Sequence, residues 1–279
     1  MEKTRKIVLG TVQFGCQYGI NSAGRPDVDT VKEILIKAKQ FGISKLDTSR
    51  AYGNAEDVLG KCLEIENKFQ IVSKYPRGTE SVSEVFDLSL QKLGVHSIYG
   101  YLLHHFEIYR NSPFIWNDFL RLKDIGKVKK IGFSLYQPEE LELLLDNNVD
   151  FSLIQIPYNL LDRKFEPYLE LLHKKGVEVH VRSTFLQGLF FKDRNTLPEK
   201  LLPLRPYLNE LDEYSRQNGL SISQIALNFN LQNPYIDGVL IGVDNVTQLI
   251  ENINAVVDKR INLEIDVTKK ELLNPVNWN

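Results

Sequence analysis

This sequence lacks most of the features that would place it outside ordinary small-molecule chemistry. It has two cysteines, Cys16 and Cys62, in 279 residues. Their spacing suits neither a metal knuckle nor a redox pair, so both are expected to be buried, reduced and structural. Five histidines are present, yet no His-x-His and no His-Glu-x-x-His occurs, and no metal site is expected. Neither sign of charge dominates: 34 Lys and Arg face 36 Asp and Glu, a net charge of −2. The short basic clusters at Lys127, Lys129 and Lys130 and at Lys174 and Lys175 read as solvated surface, which argues against nucleic acid as the main partner. No apolar run approaches the twenty residues of a membrane span. The first residues, Met1 to Lys6, run directly into a strand-like segment without a signal-peptide pattern, and the cytoplasm is the expected location. A dinucleotide fingerprint is missing too. After the first apolar run, Gly10-Thr11-Val12-Gln13-Phe14-Gly15 lacks the middle glycine of Gly-x-Gly-x-x-Gly and opens no helix, which counts against an open doubly wound sheet.

What is present is a regular alternation. Short Val-, Ile- and Leu-rich runs at 7–11, up to Asp47, 69–74, 98–104, 128–134, 151–157, 177–183 and 238–241 predict eight buried strands. Amphipathic segments follow them. One, capped by Asp29 and ending near residue 41, buries Val31, Ile34, Leu35 and Ala38. The next is capped by Asn54, carries Val58, Leu59 and Cys62 on one side, and ends near Ile65. Others begin at Ser81 and stop at Gly94, cover 114–123, start at Pro138, cover 165–174, 207–217 and 221–231, and end the series at 246–256. Eight strand–helix units with no long linker predict a (β/α)8 TIM barrel, in one domain over 1–279.

The stretch from Leu46 to Glu56 organises the chemistry. Asp47 falls at a strand end, and Tyr52 in the loop before a helix. Lys74 and His104 close the next two strands. In a parallel barrel the carboxyl ends of strands build the active site, so a carboxylate, a phenol, an ammonium and an imidazole are expected together. A lysine beside a phenol lowers its pKa from about 10; Asp47 would keep Lys74 charged and oriented; His104 would orient a carbonyl oxygen. That set donates a proton to a carbonyl receiving a hydride. No side chain supplies a hydride, so a nicotinamide cofactor, NADPH or NADH, is implied. His104 and His105 are adjacent, and strand alternation sends them to opposite faces.

The motifs Leu46-Asp47-Thr48-Ser49-Arg50-Ala51-Tyr52-Gly53, Val72-Ser73-Lys74, Leu102-Leu103-His104, Gly132-Phe133-Ser134, Gln155-Ile156-Pro157-Tyr158-Asn159, Gln187-Gly188-Leu189, and Ile241-Gly242 through Glu251-Asn252 occur in this order along essentially the whole chain. In this the sequence resembles the aldo-keto reductase family. The resemblance implies a barrel that binds NADP or NAD along its carboxyl end, with Asp47, Tyr52, Lys74 and His104 as a catalytic tetrad and Tyr52 as proton donor. It implies Ser134, Gln155 and Asn159 near the nicotinamide, and Gly242, Gln248, Glu251 and Asn252 at the adenosine end.

Three positions depart from the family pattern. Leu135 stands where an Asn usually follows the strand-five serine, removing one partner of the nicotinamide carboxamide. Arg182 replaces an aromatic that stacks on the nicotinamide, and is expected against the nicotinamide or the substrate. Asp244 replaces a basic residue after the strand-eight glycine, and is expected to weaken the NADP preference, with NAD and NADP both left open as the cofactor. Polar and aromatic residues in two loops (His105, Phe106, Tyr109, Arg110; Phe185, Gln187, Phe190) suit a sugar, polyol or similar polar carbonyl. Two rivals stand beside this reading: a barrel isomerase or lyase without net redox change, and a non-catalytic nicotinamide-binding module. Binding of NADPH or NADH discriminates the first, and the presence of Tyr52 and Lys74 together argues against the second.

Overall fold

The apolar runs become eight parallel strands: β1 (Ile7–Gly10), β2 (Lys45–Asp47), β3 (Gln70–Tyr75), β4 (Ile98–Leu103), β5 (Val128–Ser134), β6 (Leu153–Pro157), β7 (Glu178–Arg182) and β8 (Gly238–Gly242). The computed structural model describes residues 3–20, 24–63, 69–78 and 80–278. Strands pair in sequence order, and β8 closes on β1, so that Leu9 lies opposite both Leu46 and Ile241. This is the (β/α)8 TIM barrel the alternation predicts. Every residue of β6 is buried, as befits a strand covered on both faces.

The connecting helices are α1 (Val12–Gly15), α2 (Val28–Gln40), α3 (Ala55–Leu63), α4 (Val82–Leu93), α5 (Phe106–Asn111), α6 (Trp116–Asp124), α7 (Pro138–Asp146), α8 (Glu166–Lys174), α9 (Arg205–Asn218), α10 (Ile222–Leu231) and α11 (Val246–Asn254). Their ends follow local chemistry. Ser81 and Glu84 form a reciprocal capping box on α4, which ends at Gly94 with φ of 67°, a conformation costly for a residue with a Cβ. Ser221 and Gln224 do the same for α10, and Pro138 opens α7. The expected faces of α2 and α4 are buried: Val31, Ile34, Leu35 and Ala38 in the first, Val82, Val85, Phe86 and Leu90 in the second.

Some boundaries differ from expectation. The α2 cap is Asp27, whose carboxylate accepts from Thr30 N at 2.8 Å; Asp29 sits in the first turn instead, where a carboxylate faces the exposed amides. The α6 helix starts at Trp116, because Pro113–Ile115 forms a 3-10 turn that leaves Phe114 82% exposed. Short α1 and α5 occupy segments read as loops. The expected helix end at Ile65 lies outside the described residues, as does Asn21 of the first loop. Cys62 is buried and Cys16 half-buried, both free. Among the described residues no helix is long and apolar enough to cross a membrane.

Near its amino end the barrel is filled by charge rather than hydrocarbon. Lys45 and Glu178 open β2 and β7, which are not neighbours, yet they meet at 2.6 Å across the interior. Lys130 joins Glu178 at 3.0 Å, Tyr99 donates to it at 2.5 Å, and His180 lies at 2.7 Å. Burial by itself would raise the Glu178 carboxyl, but the bonds from His180, Lys45 and Tyr99 outweigh it and hold the group below the carboxylate range. With this end closed, the open end is the one where the strands terminate.

Candidate active site

Each expected chemical group arrives at that open end because a strand stops there. Asp47 ends β2, Lys74 is the penultimate residue of β3, and His104 follows β4 directly. Lys74 is 0% exposed and Asp47 1%. The Lys74 Nζ donates to Asp47 Oδ1 at 2.6 Å, to the Thr48 carbonyl at 2.8 Å and to the Tyr52 hydroxyl at 3.3 Å. The other Asp47 oxygen, Oδ2, accepts from Gln155 Nε2 at 2.7 Å. A buried ion pair is tolerable only when its remaining polar atoms are bonded in this way.

The Tyr52 loop is set by glycine. Tyr52 N–H donates to the Ser49 carbonyl at 3.0 Å, and the Tyr52 carbonyl accepts from Ala55 N at 3.0 Å. A Cβ on Gly15 would lie 1.8 Å from the Tyr52 carbonyl oxygen and 2.5 Å from Ala55 N, so only glycine lets the end of α1 press against this loop. Gly53 completes the turn at φ of 58°.

The electrostatics differ from the simple pairing expected from sequence. Burial, and then the charge of Asp47, push the Tyr52 phenol well above its ordinary range, while Arg182 opposes them. The charge of Lys74 is matched by Asp47, so it does not leave the phenol acidified. Burial pulls the Lys74 ammonium below its ordinary range, and Asp47 pushes it back up. His104 is pushed down to about 2, first by burial and then by the Lys74 charge, so its imidazole is neutral at physiological pH. Ser49 Oγ accepts from Ala51 N–H at 3.1 Å and lies 3.1 Å from His104 Nδ1, so a serine proton donated to Nδ1 leaves the ring proton on Nε2. Contrary to the alternation argument, His104 and His105 are not on opposite faces. β4 ends at Leu103, and the two rings stack at 4.6 Å and 24°.

These groups open into a cavity of about 530 Å³ that runs from Tyr52 and His104 to the start of α11. Asp47, Ser134, Gln155, Arg182, Gly242, Asp244, Gln248, Glu251 and Asn252 line it. Asn159 does not: it is 0% exposed, its amide donates to the Ser183 carbonyl at 3.1 Å, and its oxygen accepts from Leu161 N and Asp162 N. It fastens the loop after β6. Leu135 packs in the core and presents its carbonyl to Arg182 Nη2 at 3.1 Å. Of the residues taken as substrate-facing, Phe185 and Gln187 line the cavity; Phe106, Tyr109 and Phe190 are buried in the core.

Sequence reasoning missed Gln13, Tyr18, Tyr136, Thr184 and Ser49. The first four line the cavity, and Gln13 and Tyr18, both in the glycine-rich first loop, had a signal that could have flagged them. The wall suits an extended nicotinamide dinucleotide. Its polar groups are mostly amides and hydroxyls. Gln13 Oε1 is buried without a partner among the described residues. A Cβ on Gly242 would come within 2.3 Å of Gln13 Nε2, so the glycine leaves that amide its place in the wall. At the far end Asn245 caps α11 by accepting from Gln248 N at 2.9 Å, and Gln248 Oε1 accepts from Asp244 N at 2.7 Å. Ser134 and Gln155 stand near Tyr52, where a nicotinamide would be held.

The aldo/keto reductase family model matches residues 6–267, and the chain belongs to that family. It is 29% identical over 282 residues to L-galactose dehydrogenase of Arabidopsis thaliana, covering 92% of this chain and 85% of the relative. It is 26% identical over 275 residues to L-glyceraldehyde 3-phosphate reductase of Escherichia coli strain K12, covering 82% of this chain and 79% of that one. The solved structure of aldo-keto reductase AKR11C1 from Bacillus halodurans, in its holo form, superposes with a TM-score of 0.72 at 21% identity, over 96% of this chain and 90% of the other. That likeness is one of fold. Family and relatives together make this chain an oxidoreductase of the carbonyl-reducing class.

Proposed function

We propose that the protein reduces the carbonyl group of a small polar aldehyde or ketone, or runs the reverse oxidation, with NADH or NADPH and with Tyr52 as proton donor. One observation carries this reading: Lys74 Nζ touches Asp47, the Thr48 carbonyl and the Tyr52 hydroxyl at once, while Tyr52 and His104 face the cavity. A reduced nicotinamide bound there supplies the hydride.

The protein's own part is to place and move one proton. Tyr52 stays protonated because it is buried beside Asp47. As negative charge develops on the carbonyl oxygen, that oxygen becomes far more basic than a phenolate and draws the Tyr52 proton. Lys74, 3.3 Å from the phenol oxygen, stabilises the charge left behind, and Asp47 with Gln155 fixes Lys74 in place. Neutral His104 donates from Nε2 to the same carbonyl oxygen and sets its direction, a preorganised donor aimed where charge appears. The names of two relatives, a galactose dehydrogenase and a triose-phosphate reductase, support a polar carbonyl substrate.

Ser134 and Gln155 are assigned to the nicotinamide end, and Gly242, Asp244, Gln248, Glu251 and Asn252 to the adenosine end. The 2′-phosphate of NADP calls for Arg or Lys. Among the described residues lining the β8–α11 end there is no cation, only Asp244 and Glu251. Lys259 does not reach in; its Nζ donates to the Asn218 carbonyl at 2.9 Å and lies along a different groove. NADH is therefore the expected partner, or the NADPH preference is weak. The test is to titrate parent and Asp244→Arg with NADH and NADPH, and then to follow small polar aldehydes and ketones at the cofactor absorbance band. Failure to bind either nucleotide would sink the reading. Tight NADPH binding by the parent, not improved in Asp244→Arg, would sink the argument on cofactor choice.

A further inference from the structure

Several cations that this fold draws inward meet carboxylates: Lys74 with Asp47, Lys45 and Lys130 with Glu178, Arg194 with Asp212. Arg182 is different. It ends β7, half-buried, in the wall of the cavity that holds Tyr52 and His104. One face of its guanidinium lies 4.1 Å from the Tyr136 ring centroid. A guanidinium has five N–H donors, but among the described residues a single hydrogen bond is made, from Nη2 to the Leu135 carbonyl at 3.1 Å. Its Nε is buried without a partner among the described residues. No described carboxylate comes within the 4.0 Å of an ion pair.

Withdrawing a cation from water without a counter-ion is costly. A planar guanidinium steadied on an aromatic face in the wall of a cavity matches a carboxylate or phosphate brought by a ligand. We propose that Arg182 forms a carboxylate subsite, so that the carbonyl compound this protein acts on is an oxo acid or aldehyde acid. This rests on the carbonyl-reduction reading for the identity of the reacting group, and on Arg182 alone for the anion.

The charge count favours a carboxylate over a phosphate ester. Arg182 is the one Arg or Lys among the described lining residues, whereas Asp47, Asp244 and Glu251 all line the same cavity. One guanidinium balances a monoanion; a phosphate dianion would face those three carboxylates with no second cation. Lys74 is not available for it, being enclosed and held by Asp47. The subsite is close to the reacting groups, since the Arg182 charge pulls the Tyr52 phenol down and pushes His104 further down.

The experiment compares kcat/KM for glyoxylate and succinic semialdehyde, each against its methyl ester, and for glyceraldehyde 3-phosphate against glyceraldehyde, in the parent, Arg182→Met and Arg182→Lys. The ratio within each pair cancels any common effect on cofactor or fold. The parent is expected to prefer the carboxylates, and Arg182→Met to lower that preference on the order of 10- to 100-fold, mainly through KM. Arg182→Lys should keep part of it, and decides the matter where Arg182→Met does not fold. Calorimetric binding of glycolate and 4-hydroxybutyrate to the protein gives a readout without turnover, and should weaken in the same order. An unchanged preference in both variants overturns the proposal. So does a loss confined to NADH affinity, which gives Arg182 to the cofactor, or a preference for the phosphate that depends on Arg182 more than the carboxylate preference does. If no carbonyl compound is reduced but 4-hydroxybutyrate still binds through Arg182, the reduction reading fails and the subsite stands. If neutral aldehydes are reduced and carboxylate binding ignores Arg182, the subsite alone fails.

Discussion

Replacing Lys74 by methionine separates the chemistry of this site from its stability. The ammonium is 0% exposed and bonds three oxygens. Methionine fills similar space without the charge, leaving the Asp47 carboxylate 1% exposed and supported by the Gln155 amide alone. Removing one member of a buried ion pair costs about 3–5 kcal/mol. At roughly 2–4 °C per kcal/mol for a chain of this size, the unfolding midpoint should fall by about 6–20 °C. The double variant Asp47→Asn/Lys74→Met has no stranded charge, and replacing both partners of such a pair is often close to neutral, so it should regain most of the lost stability. Neither variant should regain activity, because the charge that stabilises the Tyr52 phenolate is gone in both. The assay is thermal unfolding by circular dichroism alongside turnover with one reducible aldehyde. A Lys74→Met midpoint within about 2 °C of the parent, against that expected loss, would refute the ion-pair reasoning. Near-normal turnover in the double variant would refute the role given to Lys74.

Three further outcomes are expected. Tyr52→Phe should lower turnover by about 10² to 10⁴ with nearly unchanged NADH affinity; a variant within about threefold of the parent, measured against that factor, removes Tyr52 as the acid. His104, depressed to about 2 in the native protein against about 6.5 unfolded, should show no imidazole titration by NMR from pH 8 to 5. Since the unfolded chain takes up that proton first, the stability His104 supports is complete above about pH 6.5 and is lost as pH falls below it; a native midpoint near 6 contradicts this. The same spectra should report the Nε2–H tautomer, and Ser49→Ala should weaken that bias while leaving the ring neutral. Gly15→Ala, whose Cβ would meet the Tyr52 carbonyl at 1.8 Å, should displace the phenol and lower kcat on the order of 10²-fold, with a stability loss of about 1–3 kcal/mol; an unchanged kcat would show that the loop tolerates the shift.

The barrel was legible in the sequence because its cause is local and repeated. Most strands are short runs rich in Val, Ile and Leu, several main helices have their cap and apolar stripe within a few residues, and eight such units leave a closed parallel sheet as the natural solution. For the same reason Asp47, Lys74 and His104 could be placed at the open end: they stand where apolar runs stop. What the sequence could not show depends on residues far apart in it. The Glu178 cluster joins five side chains from β2, β4, β5 and β7 across the interior, and no single strand announces it. His104 was expected to part from His105, but where β4 ends is decided by pairing with its neighbours, and one residue of difference turned both rings together. Asn159 was taken for a ligand contact, but its side chain ties the chain reversal after β6 to the Ser183 carbonyl just past β7. The sign of the Tyr52 shift reversed because burial and the Asp47–Lys74 balance are properties of the packed site, whereas sequence offers only the pair. Arg182 was visible as an oddity at a strand end; only the folded chain decided that it would stand in the cavity wall with no carboxylate partner among the described residues.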